Sequence, residues 1–159
     1  MAAASGLPRT LGESLVAAGA AGTAALVIEV PVWAMFIGWI AYFSRGINLR
    51  QGVVNLACVV AGLFVGVAAS MAVAALAPHL GGGALPLVVF VVALLVLSVS
   101  RMTPLNNPLA HFLGLVCWFA AHQAPSIRLM AELAAAVLLG SIAGWLAGRM
   151  HQGPPDKAV

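Results

Sequence analysis

The sequence predicts an all-α membrane protein, with six short transmembrane helices forming two inverted three-helix repeats. Three observations predict it: an apolar composition, six apolar runs separated by helix-breaking residues, and a residue pattern in the first half that recurs in the second. Of the 159 residues, 63% are apolar and only 7% charged, with a mean hydropathy of +1.08. A soluble domain carries roughly 25% charged residues to face water. Seven basic and four acidic side chains cannot coat such a surface, but they can cap helices whose backbone is satisfied internally in lipid.

The runs fall at 11–29, 31–44, 51–77, 85–100, 108–121 and 129–148. Pro31 ends the first. The segment Arg45 to Arg50 divides the second from the third, and Pro78 to Gly83 the third from the fourth. Arg101 to Pro108 and His122 to Arg128 divide the rest. The second and fifth runs, as helices, rise only ~21 Å against a hydrocarbon core of ~30 Å. If all six cross, with the N-terminus in the cytoplasm, every basic residue except Arg128 lies on the cytoplasmic side. This is the distribution that short loops of inserted proteins show. The reading is a single domain over 1–150, multi-pass with both termini cytoplasmic, followed by a flexible polar tail over 151–159.

Sliding the chain on itself exposes a repeat, with copies over about 11–77 and 85–148. Phe36, Gly38 and Phe43 reappear 76 positions later as Phe112, Gly114 and Phe119, and Tyr42 meets Trp118. Arg50, Gly62 and Gly66 reappear 78 positions later as Arg128, Gly140 and Gly144, and Ser70 meets Gly148. Pro31 pairs with Pro108 at 77. Three spans per copy reverse the second copy in the membrane, the architecture of many channels and transporters. Gly62, Gly66 and Ser70, like Gly140, Gly144 and Gly148, line one helix face at a spacing that allows close backbone approach in lipid. These faces are expected to bring runs three and six together, or to form a subunit interface.

The stretches Pro31 to Phe43, Ala77-Pro78-His79-Leu80 and Pro108 to Phe119 resemble an uncharacterised family of small bacterial inner-membrane proteins, domain-of-unknown-function family number 1097. The resemblance covers about residues 12–150. It implies a bacterial inner (cytoplasmic) membrane location and a six-span domain, and brings no catalytic residues.

No nucleophile elbow, zinc-protease helix, phosphate loop or pair of close carboxylates occurs. Cys58 and Cys117 stand alone in apolar runs. The reading is therefore no enzyme, no cofactor and no metal, and scattered single basic residues give no nucleic-acid footprint. Glu29, just before Pro31, and Asn106 and Asn107, just before Pro108, place polar groups at two helix starts whose free N–H groups face whatever lies beside them. His111 follows one turn into run five, where an intramembrane ionisable group is a functional candidate. Phe36 and Phe43, and Phe112 and Phe119, form two stripes able to constrict a narrow pore. The expected function is a channel or facilitator for a small neutral or weakly ionisable polar solute. Alternatives are a proton- or ion-coupled transporter or exporter using Glu29 and His111, and a non-transporting scaffold or accessory subunit. The expected partners are the lipid bilayer, the solute and further copies in a homo-oligomer.

Overall fold

A computed structural model describes residues 7–151, and they are helical throughout except at short connections, with no strand among the described residues. The expectation of a flexible tail concerns residues that, from 152 onward, lie outside the described part. The elements are α1 (Leu7–Thr23), α2 (Val32–Phe43), α3 (Leu49–Leu80), α4 (Ala84–Val99), α5 (Pro108–Ala120) and α6 (Ile127–His151).

Three helical stretches are long and apolar enough to cross a membrane: Leu7–Ile28, Leu49–Val99 and Ile127–Met150. The helices Val32–Phe43 and Pro108–Ala120 are apolar but shorter. Leu49–Val99 holds α3 and α4, which double back on each other: Val65, Ala72 and Leu76 share a groove with Leu95, Val88 and Leu87. The reversal is tighter than the sequence predicts. Helix α3 continues through Pro78 to Leu80, although the proline has no N–H to give the Ala74 carbonyl. Only Gly81–Gly83 makes the corner, and Gly81 takes a left-handed φ of 53° that a glycine adopts without strain.

At the end of α1 the chain widens into a single π-helical turn, Ala24–Ile28, and Glu29 leaves it in a left-handed conformation with φ 58°. Val30 N–H closes the turn on the Ala24 carbonyl at 2.9 Å. Leu26, Val27 and Ile28 face outward, as apolar side chains do where the surroundings are lipid.

The core is formed by α2, α3, α5 and α6, with α1 laid on α6 and α4 on α3. Met35, Val59, Leu63, Leu129, Leu133 and Val137 are fully buried and fill the centre. Helix α6 begins with Arg128 paired to Glu132 at 2.7 Å, one turn on.

The closest packing is α2 against α6 and α3 against α5, and glycines make it possible. An added Cβ at Gly38 would overlap the Val137 carbonyl, and one at Gly114 the Val59 carbonyl. At Gly140 it would overlap the Met35 carbonyl, and at Gly62 the His111 carbonyl. At Gly144 it would press on the Tyr42 side chain, and at Gly66 on the Trp118 side chain. Each contact thus has a twin, shifted 76 positions on the short helix and 78 on the long one. The order of contacts makes α2 parallel to α6 and α3 parallel to α5. The small-residue faces of α3 and α6 therefore receive the short helices, while α3 and α6 also touch one another. Gly148 meets Ile47 and Tyr42, and Ser70 accepts a hydrogen bond from Trp118 Nε1 at 3.2 Å.

The same contacts correct the proline alignment. With Met35 equivalent to His111, Pro31 matches Asn107 rather than Pro108. Pro31 is the residue before α2, whereas Pro108 is the first residue of α5. The two prolines are one position out of register.

Candidate functional site

A chain of polar groups runs through the interior where the start of α5 meets the end of α2 and the first turns of α3. Asn107, 4% exposed, caps α5. Its Oδ1 accepts from Ala110 N–H at 3.2 Å, which fixes the amide orientation. Its Nδ2 then donates to Ser44 Oγ and to Asn55 Oδ1, both at 2.8 Å. Asn55, fully buried on α3, donates through Nδ2 to the Tyr42 carbonyl at 3.3 Å, and Ser44 donates to the Ala41 carbonyl at 2.8 Å. His111, 2% exposed, places Nδ1 2.9 Å from the Asn107 carbonyl oxygen. Its Nε2 is buried and has no partner.

Local sequence builds this arrangement. Asn before Pro-Leu-Ala supplies a side-chain acceptor for the free N–H groups of a helix start, and proline fits the first helical position. Arg45, in the α2–α3 connection, closes the outside of the cluster by donating from Nη1 to the Asn106 backbone carbonyl at 2.6 Å and to the Asn106 side-chain oxygen. The connections Ser44 to Asn48 and Ser100 to Asn107 thus meet at one end of the bundle.

The twin positions in the other half are apolar. Asn55 corresponds to Leu133, His111 to Met35 and Asn107 to Pro31, and both Leu133 and Met35 are fully buried. Packing at these sites is therefore satisfied by hydrocarbon, and the amides and imidazole are a departure that packing does not require.

Asn106, Asn107, Pro108 and His111 come together here, as four of the sequence-predicted residues. Glu29 and Pro31 do not join them. Glu29 is exposed at the start of α2, while the cluster sits at that helix's far end, ~18 Å away along its axis. The aromatic stripes are not a constriction inside the bundle: Phe36 and Phe119 face outward at 38% and 43% exposure. Phe112 and Phe119 line an apolar groove of about 430 Å³ between α3, α4 and α5, and Phe43 stacks edge-on against Tyr42. Asn55 and Ser44 are members that the sequence reading passed over. The signal for Asn55 was present, since it is the one asparagine in the apolar run 51–77.

A cleft beside the core also occurs twice. One copy, about 150 Å³, includes Tyr42, Leu49, Gly52, Ile142 and Trp145. The other, about 480 Å³, includes the twin residues Trp118, Ile127, Met130, Phe64 and Val67. They lie at opposite ends of the bundle. The smaller is closed by α2 packing along α3, whereas α5 and α6 barely touch.

Fold and site together define a helical protein, with stretches long and apolar enough to cross a membrane, that seals a polar cluster inside a largely apolar core. The chain matches the family described as "Protein of unknown function (DUF1097)" over residues 10–148, and it belongs to that family. No curated protein and no solved structure matches it.

Proposed function

We propose that this protein is a facilitator for a small, uncharged polar solute, built from two oppositely oriented three-helix halves that together cross the bacterial inner membrane six times with both termini cytoplasmic. The observation that carries the functional reading is the buried Asn55–Asn107–His111 chain, polar where the duplicate half is apolar. Ionisable and amide groups inside a membrane bundle are costly and mark solute paths. The twin contacts of Gly38 with Gly114, Gly140 with Gly62 and Gly144 with Gly66 support the duplication. The meeting of Arg45 with Asn106 supports placing those two connections on one side of the membrane, the side that the basic residues favour.

The filled centre argues against a standing pore through one subunit, and the unequal twin clefts fit a molecule that opens at one end at a time. Inverted repeats give such behaviour naturally, because exchanging the conformations of two halves reverses the open side. The coupled-transporter alternative uses Glu29 together with His111, and their separation to opposite ends of the short helices favours uncoupled passage.

The test is the full chain in liposomes, with urea, formamide and ammonia fluxes followed by stopped-flow light scattering or an entrapped pH dye. Flux above that of protein-free vesicles for at least one solute is expected. Equal flux for all of them refutes the reading.

A further inference from the structure

We infer that His111 Nε2 is the atom that receives the solute, acting as a hydrogen-bond acceptor, so that the site takes small neutral N–H or O–H donors and refuses cations. This rests on the facilitator reading and adds its ligand chemistry. A carbonyl oxygen only accepts, so the 2.9 Å contact between His111 Nδ1 and the Asn107 carbonyl puts the ring proton on Nδ1. In the neutral ring the other nitrogen is then a bare lone pair.

That lone pair is unmet, although the neighbouring groups are matched with care. Both Asn107 Nδ2 hydrogens are used, on Ser44 and Asn55, and its Oδ1 is held by Ala110 N–H. The Ser44 hydroxyl is turned onto the Ala41 carbonyl. A buried acceptor without a donor costs about 1–3 kcal/mol. A solute that offers a donor removes this cost as it sheds its own water, which is the exchange that an occluded site must provide.

The chemistry around the atom sets the class. No carboxylate belongs to the cluster, and the Arg45 guanidinium held on Asn106 at its outer side repels cations. An anion would need donors, and Nε2 offers none. On the backbone side of His111, α3 and α5 touch, with an added Cβ at Gly62 overlapping the His111 carbonyl and lying 3.0 Å from Gly114 Cα. Small neutral donors such as ammonia, formamide or urea have the matching chemistry.

Two measurements test it. In liposomes, His111→Phe removes the acceptor and His111→Gln keeps one in its side-chain oxygen. The flux of the solute carried by the parent protein should fall at least tenfold in the Phe variant and much less in the Gln variant. A folded Phe variant with unchanged flux overturns the assignment while leaving the facilitator reading intact. If the parent itself carries no solute, it is the facilitator reading that fails. The second measurement reads the parent protein, with His111→Gln serving only to assign its resonances. In ¹⁵N-histidine-labelled parent protein, the resonances absent from His111→Gln should show a protonated Nδ1 and a bare Nε2. The Nε2 signal should move on adding urea, formamide or ammonia and stay still on adding potassium. A protonated Nε2, or no movement with any of the three donors, overturns it.

Discussion

Substitution of Gly140 by alanine tests the packing on which the whole bundle depends. The new Cβ would stand 2.8 Å from the Met35 carbonyl carbon and 2.9 Å from Trp39 N, with the Met35 oxygen nearer still. All three atoms are backbone, so no flexible side chain can swing aside, and α2 and α6 must part. Inserting a methyl group into a packed contact costs about 1–3 kcal/mol. The upper figure applies here, because separation also opens the neighbouring Gly38–Val137 contact. Alanine returns about 1 kcal/mol of helix propensity, leaving a net loss near ~2 kcal/mol. For a chain of this size that lowers Tm by roughly 4–8 °C. Thermal unfolding of the detergent-solubilised protein, followed by circular dichroism, measures it. Gly22→Ala is the control, because nothing lies within 4 Å of its added Cβ, and it should hold or raise Tm. A Gly140→Ala protein as stable as the parent would refute the close approach of α2 and α6.

The twin substitution Gly62→Ala meets the His111 carbonyl in the same way, so its stability loss should match that of Gly140→Ala to within ~1 kcal/mol; widely unequal losses contradict the equivalence of the halves. Asn107→Ala removes the α5 cap and leaves Asn55 and Ser44 with unmatched oxygens, a loss of about 2–3 kcal/mol, visible in the same melts and absent if the cluster is water-filled. Single cysteines at the exposed Met102 and Gln123 should react with a membrane-impermeant maleimide from opposite faces of oriented vesicles. The native Cys58 and Cys117 are buried and give little background. Labelling of both from one face contradicts a crossing by α5.

The helices were legible because apolar runs and their punctuation are local features. The run 108–121 became Pro108–Ala120 and the run 31–44 became Val32–Phe43, with Asn107 capping as a helix-start asparagine does. The ordered recurrence of the glycines was legible for a similar reason, and those glycines do sit at close approaches. Its register was not fully legible. Pro31 and Pro108 look equivalent by type, but only the contacts of Met35 and His111 with the opposite glycines set the true offset. The aromatic pairs misled because a helical stripe of Phe36 and Phe43 reads the same whether it faces a pore, a neighbour or lipid.

Composition and the apolar runs alone determined that this chain is helical, with stretches apolar enough to cross a membrane, because hydropathy and backbone satisfaction act residue by residue. Which helix lies against which was decided only by tertiary structure: each glycine permits contact with any partner, and the shape of the opposing backbone selects one. Tertiary structure likewise joined Asn55, Asn107, Ser44 and His111, residues up to 67 positions apart in the sequence. Hydrogen bonds form across space, and sequence separation carries no information about them.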